Sequence, residues 1–157
     1  MKTLIIIPTY NEIENLEKLV TQVFQQVDSQ THVLVLDDNS PDGTGELADE
    51  IAKKNQNVHV IHRPRKMGLG TAYVAGFRYA LDNGYDVVIE MDSDFSHDPK
   101  YLPVFQKEIQ KFDAVIGSRY IPGGGVVNWG LSRKVISQGG NVYAKLILGI
   151  PFQDLTV

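Results

Sequence analysis

The sequence contains no cysteine. Disulfides and thiolate-held metal centres are therefore excluded, while the compartment stays open. Nor is there an uncharged apolar run near the roughly 20 residues that a membrane-spanning helix needs. The opening stretch, MKTLIIIPTYNE, has one lysine and an apolar run too short for a secretory leader, so it reads as a first strand. Repeats, low-complexity tracts and linkers are absent too. Basic surplus is lacking: the net charge is −4, which argues against a nucleic-acid binder held by bulk charge, though not against a local basic patch.

What is present suits a globular protein. Hydrophobic residues make up 43% and charged residues 22% of 157 positions, enough for one domain, residues 1–157, with a substantial core. Short runs rich in Val and Ile recur: TLIIIP (3–8), HVLVLD (32–37), VHVIH (58–62), DVVIEM (86–91) and DAVIG (113–117). Near-continuous hydrophobicity of this kind marks strands covered on both faces.

Amphipathic segments separate the runs. Asn11 and Glu14 form a capping box ahead of Ile13, Leu16, Leu19, Val20 and Phe24. Ser40-Pro41 precedes Leu47, Ala48, Ile51 and Ala52, with proline where a first helical turn tolerates it. A third helix is predicted over 70–82, burying Val74, Phe77, Ala80 and Leu81 and capped by Gly84. Asp98-Pro99 starts a fourth, and a last one runs from about Ser132. The alternation implies an α/β fold: a mostly parallel, Rossmann-like sheet with helices on both faces. Ligands of such sheets bind beyond the carboxyl ends of the strands, where TYNE, DDNSPDG, DSD and SRY fall.

The run VVIEM ends in Asp92 and Asp94 with only Ser93 between them. Like charges so close repel. A shared hard cation would relieve this, since Mg²⁺ takes one or two carboxylates together with substrate phosphates and water. The bland alternative is that Asp94 caps a turn and Asp92 is solvated. Asp37 and Asp38 follow VLVL; Asp38 is either a turn former or an acceptor for a base or ribose. Tyr10 could stack on a base and Glu12 could bond a nucleoside, or Tyr10 packs and Glu12 serves its helix. Gly68 and Gly70 do not follow the first strand, so they read as a tight turn with close backbone approach, not as a dinucleotide fingerprint. Arg119, Arg133 and Lys134 are cations at the same rim, and arginine matches phosphate oxygens. His97 and the other histidines read as surface or packing residues, although His97 lies close to the acidic pair.

Three other classes fit less well. A dehydrogenase lacks its glycine fingerprint after strand one. A phosphoacceptor domain would want its acidic pair there and a lysine after strand five, and a nucleotidyltransferase a glycine-rich basic loop in place of PTYN.

Six blocks, IIIPTYNEIENL, VLVLDDNSPDGT, RPRKMGLGTAYVAGF, VIEMDSDFSHDP, VIGSRY and GGGVVNWGLSRKVIS, together resemble the dolichyl- or polyprenyl-phosphate mannose synthases of glycosyltransferase family 2. The resemblance runs in order along nearly the whole chain. It implies the GT-A fold and a hexosyltransferase that moves mannose from GDP-mannose to a lipid phosphate, with inversion and with Mg²⁺ or Mn²⁺. Another family 2 reaction, such as UDP-glucose to polyprenyl phosphate, or a nucleotide-binding module without transferase activity, is the alternative.

Carried over by position, the resemblance places Pro8, Tyr10, Glu12, Leu36 and Asp38 around the donor nucleoside. Asp92, Ser93 and Asp94 fall in the diphosphate motif, with Asp92 and Asp94 as metal ligands and Asp94 and Arg119 as catalytic residues. Arg119 matches a phosphate contact, and Arg133 lies where the acceptor phosphate would approach. The family continues past DLT into a further basic segment, whereas this sequence stops at Val157; an acceptor-side segment is expected to be missing. The lipid acceptor implies action at a membrane surface, peripheral on the cytoplasmic face, with the missing segment or an anchoring partner assisting. Val126 through Trp129 and the helix ending KLILGIPF would either rest on that interface or pack on the protein.

Overall fold

A computed structural model describes residues 1–118, 136–137, 139–143, 147 and 149. They fall into two compact units, Met1–Lys107 and Glu108–Val157. In the first, strands and helices alternate: β1 (Thr3–Thr9), α1 (Leu16–Gln26), β2 (Thr31–Asp37), α2 (Thr44–Lys54), β3 (Val58–His62), α3 (Leu69–Asp82) and β4 (Val87–Glu90). A 3₁₀ turn over Pro99–Tyr101 leads into α4 (Leu102–Glu108). The sheet is parallel, in the order β3-β2-β1-β4.

The central strands are covered on both faces, as their continuous apolar runs predict. Alternate side chains of a strand point to opposite faces, and the core divides accordingly. Ile5, Ile7, Val33 and Val35 pack with Leu16, Leu19, Val23, Ala48 and Ile51 of α1 and α2. Leu4, Ile6, Leu34 and Leu36 face the other way, toward Ala80 of α3. The α/β arrangement expected from the sequence is thus present, with strands in four of the five predicted places.

The fifth is a correction. Residues 114–118 form no strand, and Ile116 is exposed. Three apolar residues in a row give strand propensity, but a strand exists only where a neighbouring edge pairs with it, which local pattern does not encode. The predicted last helix lies mostly outside the described residues; 136–137, 139–143 and 147 are helical. Val126–Trp129 lies wholly outside them, as does most of KLILGIPF.

Two helix starts also move. The capping box at Asn11 does not form: Asn11 takes a left-handed conformation, φ 62°, and α1 begins at Leu16. Asn11 N–H donates instead to Ser40 Oγ, and Glu12 N–H to Thr44 Oγ1. Contacts between loops have outweighed the local cap. Likewise α2 starts at Thr44, not behind Pro41, because Asp42 accepts from the Thr44 N–H and hydroxyl. The start at Asp98-Pro99 holds, with Asp98 accepting from Lys100 N–H.

The face of α3 differs most. Ala72, Gly76 and Ala80 are buried, whereas Val74, Phe77 and Leu81 are exposed, Leu81 at 79%. A Cβ at Gly76 would lie 2.5 Å from Ile6 Cδ1. The helix therefore lies close on β1 at Gly76, while Tyr73 and Tyr79 pack, partly buried, against the same cluster. Gly84, at φ +65°, ends the helix as predicted.

Candidate functional site

The order β3-β2-β1-β4 contains a switch point. The chain steps from β1 outward to β2 and β3, then returns to the other side of β1 with β4. The strand order reverses between β1 and β4, and ligands of parallel sheets bind at such a reversal, beyond the carboxyl ends of the strands. Tyr10–Glu12 leave β1 at this point and Asp92–Asp94 leave β4.

The loops after β1 and β2 are tied together. Asp38 N–H donates to Thr9 carbonyl at 3.0 Å. Ile13 N–H donates to Asp42 Oδ2 at 3.2 Å. Asp37 is buried and accepts from the Ser40 N–H and hydroxyl. A Cβ at Gly45 would meet Asp37 Oδ2 at 2.9 Å, so the first turn of α2 needs glycine to approach that carboxylate. Asp37 is thus a structural turn residue.

Asp38 is also buried, and it is an ion pair. Arg63 Nε lies 2.6 Å from Oδ1, a contact of charges rather than an aligned hydrogen bond. Arg63 Nη2 donates to Oδ2 at 3.3 Å and to Thr71 Oγ1 at 3.0 Å. Met67 N–H reaches Oδ2 at 3.3 Å. Arg63 Nη1 is buried with no partner among the described residues. Sequence reasoning did not single out Arg63; the signal was its place straight after β3, opposite the acidic end of β2.

Tyr10 is partly exposed, with Lys66 Nζ 4.3 Å from its ring centroid. One ring face therefore carries a cation. Glu12 accepts from Asn15 Nδ2 at 2.8 Å. Pro8 sits in β1 in register with Leu36. The Leu36 side chain is fully buried in the core, so only its backbone stands near the rim. Gly68 opens α3 at φ +91°, the turn predicted for it. Among the described residues neither Gly68 nor Gly70 has an atom within 4 Å of a would-be Cβ, so the expected close backbone approach is not found there.

At the end of β4, carboxylates recur at every second residue: Glu90, Asp92 and Asp94. Burial, then the charge of Asp92, pushes the Glu90 carboxyl up, partly offset by His97. For Asp94, burial acts upward, but hydrogen bonds from Ser96 outweigh it and hold the carboxyl below its usual range. Ser93 is buried. Asp92 has two partners remote from it. Tyr73 of α3 donates its hydroxyl to Asp92 Oδ1 at 3.1 Å, and burial followed by the Asp92 charge pushes that phenol well above its ordinary range. His97 Nδ1 accepts the Asp92 N–H at 3.1 Å, and its Nε2 lies 3.9 Å from Asp92 Oδ2. His97, which the sequence assigned to surface or packing, therefore belongs to this turn. Tyr73 and Glu90 were missed; the carboxylate alternation could have revealed Glu90, whereas nothing local marks Tyr73.

Asp92 and Asp94 offer only hard oxygen donors, which suits Mg²⁺ or Mn²⁺. No group of three or more His, Cys, Asp or Glu side chains forms a cage among the described residues. Two carboxylates fit a cation that completes its shell with substrate phosphates and water. Arg119 and Arg133 lie outside the described residues.

The family profile described as glycosyl transferase family 2 matches residues 4–156. The chain is 51% identical over 156 residues to a Micrococcus luteus protein named undecaprenyl-phosphate mannosyltransferase, covering 99% of this chain and 64% of that protein. It is 50% identical over 157 residues to the polyprenol monophosphomannose synthase of Mycolicibacterium smegmatis, covering 99% and 59% respectively. It thus spans about three fifths of the length of these curated relatives. Among solved structures, the mannosyltransferase PcManGT from Pyrobaculum calidifontis, in complex with GDP-Man and Mn2+, shares the fold. The TM-score is 0.53 at 24% identity, over 59% of this chain and 27% of that one.

Proposed function

Because this chain belongs to glycosyl transferase family 2, we propose that it carries the donor site of an enzyme that transfers mannose from GDP-mannose to a polyprenyl phosphate. The observation that supports this reading is that Asp92 and Asp94 follow β4 while Tyr10 and Glu12 follow β1, the neighbouring strand where the sheet order reverses. The names of the two curated relatives support a mannosyl donor and a polyprenyl-phosphate acceptor.

Asp92 and Asp94 would hold a divalent cation, Mg²⁺ or Mn²⁺, which when bound supplies Lewis-acid compensation for charge on the donor diphosphate. Asp94 suits this role because the Ser96 hydrogen bonds keep it ionised. Pro8, Tyr10, Glu12 and the backbone at Leu36 would line the nucleoside, beside Asp38 held in place by Arg63. Ser93 would contribute from within the diphosphate turn. The acceptor is a phosphate monoester, already largely anionic at neutral pH, so its oxygen attacks without surrendering a proton to a base. In a single in-line displacement the acceptor oxygen would bond to the anomeric carbon as that carbon's bond to the donor diphosphate oxygen breaks, inverting the carbon and releasing GDP. Arg119 and Arg133 would screen the repulsion between two phosphate groups brought together.

Among the described residues no helix is long and apolar enough to cross a membrane. The acceptor's hydrocarbon tail would hold the reaction at a membrane surface, for which we infer a peripheral position on the cytoplasmic face, with an anchoring partner assisting.

Calorimetry tests the reading. GDP-mannose should bind with Mn²⁺ and not without it, and Asp94→Ala should abolish that binding. Affinity retained within about threefold, a difference below about 0.7 kcal/mol, would sink the metal assignment. Thermal shift with GDP-mannose against UDP-glucose, each with Mn²⁺, tests the donor.

A further inference from the structure

Tyr73 is 19 residues from Asp92 in sequence, yet its hydroxyl donates to Asp92 Oδ1. The tertiary structure fixes this approach. Gly76, one turn along, lets α3 lie directly on Ile6 of β1, and the half-buried Tyr73 ring is stacked on Phe77, centroids 6.5 Å apart. The two oxygens of Asp92 consequently differ. Oδ1 faces α3 and takes the phenol, whereas Oδ2 lies on the side of His97, in the turn that carries Asp94.

We propose that Tyr73 is a positioning residue that makes Asp92 a one-oxygen ligand: by occupying Oδ1 it leaves Oδ2 to serve a divalent cation. This rests on the donor-site reading above and adds a determinant of cation choice. A small cation with octahedral geometry accepts single oxygens from each carboxylate. Ca²⁺ takes six to eight oxygens at longer distances and readily uses both oxygens of one carboxylate. A carboxylate held by one oxygen therefore favours Mg²⁺ or Mn²⁺ over Ca²⁺. Tyr73 would exert this bias without touching the ion.

The test compares Mn²⁺ and Ca²⁺ titrations of the full 157-residue chain, each in saturating GDP, for the native protein and Tyr73→Phe. Phenylalanine keeps the ring and its stacking and deletes only the hydroxyl. The native protein should prefer Mn²⁺, and the variant should lose at least fivefold of that preference, chiefly through tighter Ca²⁺ binding. A merely structural role would weaken both ions alike, so a Mn²⁺/Ca²⁺ ratio unchanged within twofold overturns the proposal. The native protein gives an independent check should the variant fold poorly. Its Mn²⁺-induced infrared difference spectrum should show the wide carboxylate splitting of one-oxygen ligation, and solely narrow, two-oxygen bands would refute it. If the native chain binds neither GDP nor Mn²⁺, the donor-site reading itself fails and this inference falls with it, an outcome distinct from an unchanged ratio.

Discussion

Asp38 and Arg63, separated by 25 residues, meet as a nearly buried ion pair at the carboxyl ends of β2 and β3, Nε to Oδ1 at 2.6 Å. The pair explains how a carboxylate persists in a nearly buried place at the carboxyl end of β2. It also joins β2 to the loop that opens α3, because Met67 N–H and Thr71 Oγ1 bond to the same two groups.

Removing one partner strands the other charge. Arg63→Met should cost on the order of 3–5 kcal/mol, the range for breaking a buried pair. Replacing both, as Asp38→Leu with Arg63→Met, should recover most of that loss. Urea denaturation of the three proteins measures it, and a single variant within about 1 kcal/mol of the native protein would show the pair to be hydrated.

Gly76 sets packing against propensity. Alanine is normally favoured over glycine within a helix by about 0.5–1 kcal/mol. At this position the added Cβ would stand 2.5 Å from Ile6 Cδ1 and 2.9 Å from its Cγ2. Gly76→Ala should therefore destabilise, by about 1–3 kcal/mol as overpacked sites do. Ile6→Val in that background removes the nearest atom and should restore part of the loss. A melting temperature that rises in Gly76→Ala contradicts this packing.

Away from the carboxyl ends of the strands, His32 Nδ1 and His59 Nε2 lie 2.9 Å apart near the start of β2 and on β3, with Tyr79, Tyr85 and Lys2 close by. Burial lowers both imidazole pKa values from 6.5; nearby Lys2 adds to each, and His32 adds to His59. Well above pH 6.5 both rings are neutral whether folded or unfolded, and their contribution is complete. Below 6.5 the unfolded chain takes up protons first, so stability falls until the pH passes the lowered folded values, where the loss levels off. His59→Gln should flatten this limb of a denaturation-midpoint profile. The Asp42, Asp94 and Asp98 carboxyls, all held below 3.8, lose their contributions only at more acid pH. An unaltered limb in His59→Gln would assign the loss elsewhere.

The four strands and the existence of α1 to α4 were legible because burial on two faces demands continuous apolar runs, and 3–9, 31–37, 58–62 and 87–90 supply them. The acidic strand ends were legible for a similar reason: charge placed straight after an apolar run must stand at a rim. Helix starts were less so. Asn11 and Ser40-Pro41 carry good local cap signals, yet loop-to-loop hydrogen bonds from Asn11 and Glu12 outweighed them. The buried face of α3 was legible only in part: Ala80 is buried as expected, but the apolar period also favours Val74, Phe77 and Leu81, which are exposed, whereas Ala72 and Gly76 face the core and clearance above Ile6 requires glycine at 76.

The amino-acid order alone determined which stretches enter the sheet and where its carboxylates emerge, since both follow from the cost of hydrating apolar side chains and burying charged ones. Only the tertiary structure decided that Tyr73 meets Asp92 and Arg63 meets Asp38. Arg63 and Asp38 are brought together by the pairing of β2 with β3, and Tyr73 and Asp92 by how closely α3 settles on β1; that clearance, here a missing methyl at Gly76, leaves no periodic trace in sequence.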